Sequence, residues 1–295
     1  MKFGIIGNIR KLAIKEVTED LLGYLTLKKI PFVVHEELGK WFNNAGAGLT
    51  IDQEIMVNES ELSHRCEILI ALGGDGTMLS AARLVGANGT PILGVNLGKL
   101  GFLAEVSIDE LQECIADIIA GRYFLEDRIV IKTSSANDNQ FYFTLNDVVI
   151  DKGSSPRIID LETYVNDDYL VTYTADGLII ATPTGSTAYS LSSGGPIIVP
   201  KSNVIVINPI SPHTLSARPV IVPDDSTIKI KVRTSVKPVH MIADGQLEKF
   251  YDAPIEFTIQ KAPYLIKLVK RKKRSYFDLL RMKLMWGKDL RRENS

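Results

Sequence analysis

The sequence predicts a two-domain protein, an α/β domain followed by an all-β domain, and three observations carry that prediction. Apolar, strand-like runs alternate with helix-period segments as far as Tyr123. From there to Val269 the chain turns into short β-branched runs separated by Asn, Asp, Gly and Pro. Alternating strands and helices build a largely parallel sheet covered on both faces, whereas closely spaced β-rich runs build an all-β unit. The third observation is size: 295 residues, 45% hydrophobic and 23% charged, are enough for two ordinary cores.

In order, KFGIIGN (2–8) reads as a short buried strand ending in a turn, residues 15–28 as a helix and PFVVHEE (31–37) as a strand. EILIALGG (67–74) and PILGVNLG (91–98) are buried strands, and TMLSAARLVG (77–86) between them is a helix with Thr77 near its N-terminus. IDELQECIADIIAG (108–121) has helical periodicity, with Ser107 as N-cap and Gly121 as stop. The β region holds RIVIKTSS (128–135), FYFTLNDVVI (141–150), RIIDLETYVN (157–166), YLVTYTADGLIIATP (169–183), NVIVINPI (203–210), RPVIVP (218–223), TIKIKVR (227–233), VHMIADGQ (239–246) and IEFTIQ (255–260). Turns are expected at residues 137–139, 166–168 and 224–225. Within this region only TGSTAYSLSS (184–193) looks helical. The tail SYFDLLRMKLMWG (275–287) has apolar residues at three- and four-residue spacing. It is expected to pack back on the first domain or on a partner chain. The expected domains are residues 1–123 with 275–295, and residues 124–274.

Composition excludes several function classes. A formal net charge of −1 gives no global pull toward nucleic acid or an anionic membrane. The two cysteines, Cys66 and Cys114, fit neither a disulfide framework nor a zinc spacing and read as buried thiols in a reduced compartment. The first apolar run is too short for a signal peptide and no span suits a membrane helix, so a cytoplasmic protein is expected.

Two nucleotide signatures are missing: there is no GxxxxGK[ST], and GIIGN (4–8) is only a shadow of GxGxxG. GGDGT (73–77) still suits phosphate chemistry. A glycine-rich turn after a parallel strand lies at the carboxyl edge of the sheet, where its amides and the following helix dipole attract an anion. Asp75 then suits an acceptor hydroxyl, which it can orient and deprotonate while Gly73, Gly74, Gly76 and Thr77 face phosphate. Alone, GGDG equally suits a tight strand–helix turn capped by Asp75.

The stretch DGLIIATPTGSTAYSLSSGGPIIVP (176–200) packs many hydroxyls and glycines at one strand end, poor core material but good donors for a polar ligand; Tyr189 offers a flat face for a base. Taken singly, NLGKLGFL (96–103) reads as a connector, the Asn146-Asp147 pair as a turn and ADGQ (243–246) as a β-turn. His213 reads as a hydrogen-bonded structural histidine, and KRKKR (270–274) as a solvated basic edge rather than a polyanion site.

Together these stretches resemble the NAD kinase family, which phosphorylates the 2′-hydroxyl of the adenosine ribose of NAD. The matching pieces are GGDGT (73–77), NLGKLGFL (96–103), LNDVV (145–149), ADGLIIATPTGSTAYSLSSGGPII (175–198), PISPHTLSARP (209–219) and DGQ (244–246). GGDGT is shared with lipid kinases of the diacylglycerol and sphingosine type; the TPTGSTAYSLSSGGP and SPHTLSARP stretches are the specific part. The resemblance implies a Rossmann-like α/β domain and a C-terminal β-sandwich-like domain with NAD bound between them. It also implies ATP as second substrate, Mg²⁺ or another divalent cation, and a homodimer or homotetramer; the sequence shows no metal-ligand cluster, so the cation is expected on ATP oxygens and water rather than in a protein cage.

By the same resemblance Asp75 activates the 2′-hydroxyl, and Gly76 with its neighbours Gly73, Gly74 and Thr77 lies at the phosphates. Phe102 lies near the adenine, Asn146 binds the dinucleotide, and Asp147 stands where the family usually has glutamate. Asp176 lies near the site and can act across a subunit contact. Thr187, Ala188, Tyr189 and Ser192 surround NAD. The opening IGNIRK departs from the family's usual first turn; Asn8 and Arg10, with Gln246, are further candidates. Two rival readings are a lipid kinase sharing GGDGT and a non-catalytic NAD sensor on the same fold.

Overall fold

The structure, a computed structural model, describes residues 1–46, 48–136, 138–234, 238–271 and 275–286. The basic run 272–274, Asn137 of the expected turn, residues 235–237 and the tail beyond Trp286 lie outside the described residues. The chain divides into two compact units, Met1–Glu126 together with the chain from Lys267 onward, and Asp127–Ile266.

In the first unit the elements are β1 (Phe3–Gly7), α1 (Ile14–Leu27), β2 (Phe32–His35), α2 (Glu36–Asn44), β3 (Met56–Val57), α3 (Glu59–Leu62), β4 (Ile68–Gly73), α4 (Asp75–Val85), β5 (Ile92–Asn96), β6 (Val106–Ser107) and α5 (Leu111–Ile119). The strands pair in parallel in the order β6-β5-β4-β1-β2-β3, with Ile5 opposite Ile70 and Ile70 opposite Leu93. Alternation fixes the faces. Ile5, Ile70, Leu72, Leu93 and Val95 share one core with Leu21 of α1 and Ile115 of α5. On the other face α4 lies so close that a β-carbon on Gly94 would be 2.7 Å from the Met78 sulfur. Helices therefore cover both faces, as strand–helix alternation requires.

Helix ends follow local chemistry. Ser107 and Glu110 close a capping box, a 3₁₀ turn leads into α5, and Gly121 at φ +72° ends the segment. α2 was not expected from the sequence. PFVVHEE stops being a strand at His35, because Glu36 and Glu37 favour a helix N-terminus and Leu38 and Phe42 are buried one turn apart.

The second unit holds β7 (Phe124–Ser135), β8 (Asp138–Thr144), β9 (Asp147–Asp151), β10 (Ile159–Val165), β11 (Asp168–Ala175), β12 (Gly177–Ala181), α6 (Tyr189–Ser192), β13 (Val204–Ile210), β14 (Val220–Pro223), β15 (Ile228–Arg233), β16 (Val239–Ala243), β17 (Leu247–Tyr251) and most of β18 (Ile255–Lys270). One sheet runs antiparallel β14-β13-β12-β9-β16-β17. The other runs β11-β10-β15-β18, also antiparallel, with β7 and β8 beyond β18. Val148, Ile180 and Met241 from one sheet share a core with Leu161, Ile230 and Phe257 from the other, which makes a β-sandwich. β17 escaped the sequence reading because four of its five residues face water at the sheet's edge.

The chain rejoins the first unit at Lys267, earlier than the expected boundary at 275. The reason is pairing: Leu268 continues β18 into a parallel bridge with Ile92, and Val269 joins the first core. The solvated-edge reading of KRKKR also fails for its first two residues. Lys270 pairs with Glu105, and the Arg271 guanidinium, 8% exposed, lies 3.2 Å from Asp117 and within 4 Å of Glu110 and Glu113. The last helix, α7 (Tyr276–Leu284), packs on the first unit, burying Leu279 and Leu280 and setting Tyr276 6.4 Å from the Phe102 ring. Both cysteines are free; burial pushes each thiol up to about 11.

Candidate active site

In the first sheet β2 and β3 lie on one side of β1, while β4 and β5 lie on the other. The chain reverses direction across the sheet between β1 and β4. A crevice opens outside the carboxyl ends of two such strands because their connections leave in opposite directions. β1 leads into Asn8 and Lys11, and β4 leads into Gly74 and Asp75. All four line one open cleft of about 510 Å³, together with Gly76, Thr77, Asn96, Lys99, Gly101 and Lys283.

Among the described residues Asp75 is the only carboxylate in that lining. Its Oδ2 accepts the Phe102 amide at 2.8 Å, and its Oδ1 accepts those of Leu103 and Ala104 at 3.0 and 3.1 Å. A carboxylate has about four acceptor positions, so three bonds leave one, on Oδ2. The loop is fastened at its other end by Asn96, whose Oδ1 accepts the Gly98 amide at 2.8 Å and whose Nδ2 donates to the Lys99 carbonyl. NLGKLGFL is thus more than a connector: it orients the aspartate.

The glycine turn differs from the expected phosphate cradle. Thr77 is buried, and its hydroxyl accepts the Gly74 amide at 3.4 Å while its own amide bonds the Gly74 carbonyl. Two of the amides expected to face phosphate are spent inside the turn. Gly73 is required by this packing, since a β-carbon there would meet Thr77 Oγ1 at 1.9 Å. The positive charge in the cleft comes instead from Lys11, Lys99 and Lys283. Lys283 also lies 5.7 Å over the Phe102 ring. Lys283 had no signal in the sequence, because the fold brings it from a distant segment; Lys11 closes the IGNIRK stretch (6–11), where Asn8 and Arg10 were the expected contacts. Asn8 is in the lining, with its Oδ1 accepting the Arg10 amide; Arg10 is exposed and outside it.

In the second unit the structure gathers Asn146, Asp147, the 182–192 loop and one residue the sequence left as a turn. That residue is Asp244. Its carboxylate accepts the amides of Leu145, Asn146 and Asp147 at 2.9, 2.7 and 3.3 Å. The Asn146 carbonyl then accepts the Thr182 amide at 2.8 Å, and it passes so close to Gly185 that a β-carbon there would be 2.1 Å away.

Three hydroxyls of the 182–192 loop are structural. Thr182 donates to the Leu145 carbonyl, Ser186 bridges Pro183 and Ile198, and Ser190 accepts from the Asn208 amide; all three are fully buried. This corrects the expectation that the hydroxyl-rich stretch as a whole offers donors to a ligand. Its accessible members include Thr187, whose hydroxyl donates back to Thr184, Ala188, the 45%-exposed Tyr189 and Ser192. Asp151, Asp147 and Asp176, after burial, push the Tyr189 hydroxyl up.

Asp176 is ion-paired with Lys152 at 2.6 Å. Gln246 is exposed in the β16–β17 turn, where Asp244 and Gly245 sit at φ +53° and +63°. His213 is exposed, and its bond runs from the backbone amide to Thr174 rather than from the ring. No helix among the described residues is long and apolar enough to cross a membrane.

A lysine-ringed carboxylate at the switch point of a parallel sheet, on a chain that continues into a β-sandwich, defines a two-domain protein built to bind a phosphorylated nucleotide. Comparison with known proteins narrows this. Residues 3–123 match the family model for the ATP-NAD kinase N-terminal domain and residues 145–271 that for the C-terminal domain. The chain is 40% identical over 294 residues to an NAD kinase of Bacteroides fragilis, covering 99% of this chain and 100% of that protein. It is 38% identical over 291 residues to the NAD kinase of Chlorobium limicola, covering 98% of each. A crystal structure of yeast NADH kinase complexed with NADH superposes with a TM-score of 0.86 at 27% identity, covering 98% of this chain and 89% of that one. The chain belongs to the NAD kinase family.

Proposed function

We propose that this chain transfers the γ-phosphoryl group of ATP to the 2′-hydroxyl of the adenosine ribose of NAD, giving NADP and ADP. The observation that carries the proposal is Asp75, held by three consecutive amides with its one remaining acceptor position in a lysine-lined cleft. A ribose hydroxyl donating to that position has its oxygen lone pairs turned away from the carboxylate. The bond from that oxygen to the γ-phosphorus forms as the bond to the ADP oxygen breaks, and the proton passes to Asp75. Lys11, Lys99 and Lys283 attract and neutralise the polyphosphate.

Among the described residues no group of three or more His, Cys, Asp and Glu is gathered. The proposal includes a divalent cation, Mg²⁺ first, which ATP oxygens and water would carry. Such an ion supplies neutralisation of charge on the transferring phosphates.

We assign the dinucleotide contacts of the second unit to Asn146, Asp147, Thr187, Ala188, Tyr189 and Ser192, with Asp176 and Gln246 flanking them. Buried hydroxyls hold this loop in shape, which suits a binding surface that must not rearrange. Phe102 flanks the phosphoryl cleft. A homodimer or homotetramer in the cytoplasm completes the proposal. Sedimentation and cell fractionation test those two points, and the two free thiols suit a reduced compartment.

The test is to supply purified protein with NAD, ATP and Mg²⁺ and to read NADP with an NADP-specific dehydrogenase. NADP formation is expected. NAD binding without NADP would turn the reading to a sensor, and phosphorylation of diacylglycerol instead would turn it to a lipid kinase. The polar and charged lining of the Asp75 cleft speaks against an acyl chain.

A further inference from the structure

We infer that Asp244 is a positioning residue for dinucleotide binding, and that beside it Asp147 serves as a hydrogen-bond donor, a carboxylic acid rather than a carboxylate. The inference deepens the function proposed above and rests on it. Its first part is geometric. Asp244 grips the backbone on both sides of Asn146, and the return bond from its own amide to the Asp147 carbonyl, 2.9 Å, closes the link. A non-glycine residue at φ +53° is costly, and this one is kept where its carboxylate meets three amides.

The Asp147 side chain is 4% exposed and makes no hydrogen bond or ion pair among the described residues. Its titratable neighbours are Asp244, from the turn after β16, and Tyr189, from α6. Beyond them Asp151 and Asp176 face Tyr189, and Tyr264 of β18 faces Asp244. None of these is a cation. A buried carboxyl with no cation and a carboxylate beside it retains its proton. Burial first, and Asp244 second, push Asp147 up to about 7. An acid presents an O–H to an acceptor atom of the dinucleotide, and a carboxylate repels that atom. NAD affinity should therefore fall as pH rises through neutrality. Asn146 and the donor at 147 stay in register because Asp244 holds both amides.

The experiment is NAD calorimetry on the full chain from pH 5.5 to 8.5, beside carboxyl ¹³C NMR titration of the free protein. Wild type should show a Kd that rises about tenfold with an inflection near neutrality, and one aspartate resonance titrating there. Asp147→Asn, which keeps a donor at every pH, should flatten the profile and remove that resonance. Asp244→Asn should move the inflection to lower pH, without abolishing it because burial remains, and should raise Kd at every pH. The NMR arm needs only a folded protein, so weak binding by either variant leaves the titration readable. A flat wild-type profile, or an inflection unchanged in Asp147→Asn, overturns the inference while NADP formation leaves the function standing. Absence of both NAD binding and NADP overturns the function and the inference together.

Discussion

The carboxylate of Asp75 and the α-carbon of Gly101 are packed so closely that a β-carbon on Gly101 would lie 1.9 Å from Asp75 Oδ1. Gly101 is not at positive φ, so the demand there is for space and not for an unusual backbone. The loop reaches over the aspartate and delivers three amides to it only because nothing projects from residue 101. Gly101→Ala should push the loop away from the carboxylate. Turnover should fall by about 10²-fold, as misplacement by an ångström costs. Stability should fall by about 1–3 kcal/mol. Coupled-assay kinetics and urea melts measure both.

The lysines in the cleft act by charge. Lys99→Ala and Lys283→Ala should each raise KM for ATP by roughly tenfold, with a smaller effect on KM for NAD. The wild-type KM for ATP should rise with added salt, and the slope should be shallower in each variant. A salt dependence identical in all three proteins would remove the lysines from phosphate binding.

The buried hydroxyls of the 182–192 loop should behave as structure. Ser186→Ala removes a group that bonds the Pro183 carbonyl and the Ile198 amide. It should cost roughly 1–3 kcal/mol in a denaturant melt. Thr187→Ala, at a half-buried position, should cost less than 1 kcal/mol or so and raise KM for NAD instead. Equal melts for the two variants would count against the division drawn between them.

Asp147 also links stability to pH. Its folded value, about 7, lies above the ordinary 3.8, so the folded state binds the extra proton between those values. That contribution is fully present below about pH 4 and is lost as pH rises through 7. Asp147→Asn should therefore be more stable than wild type at pH 8, by on the order of 4 kcal/mol, with the advantage vanishing toward pH 4. Parallel melts across that range decide it; a constant difference at all pH values would contradict the assignment.

Much of this was legible in the sequence, for identifiable reasons. Period-two and period-3.6 patterns located β1, β4, β5, α1 and α5, since their side chains are sorted by burial. β17 and α2 were missed, because an exposed edge strand has no apolar stripe and a two-glutamate strand end is also a helix start. In the first unit GGDGT pointed to Asp75. Its three amide partners lie 27 to 29 residues on, so no local pattern shows that it is clamped. Thr77 looked like a phosphate ligand because threonine and glycine in a turn serve equally as a cap. Asp244 was hidden for the same reason: ADGQ is a good hairpin turn, and only the fold shows its carboxylate reaching back to residues 145–147. Lys283 comes from a segment with no motif at all, and Lys11 from the IGNIRK stretch, where the sequence pointed to its neighbours Asn8 and Arg10 instead. Backbone grip and convergent charge are tertiary properties, and they are where sequence reading stopped.

The central claim is that Asp75 receives the 2′-hydroxyl of NAD, and Asp75→Asn tests it most directly, with NADP formation followed by coupled assay and NAD binding by calorimetry on the same samples. The expected result is a kcat lower by about 10²–10⁴, with Kd for NAD changed only several-fold. Turnover near that of wild type from a folded variant would contradict the claim.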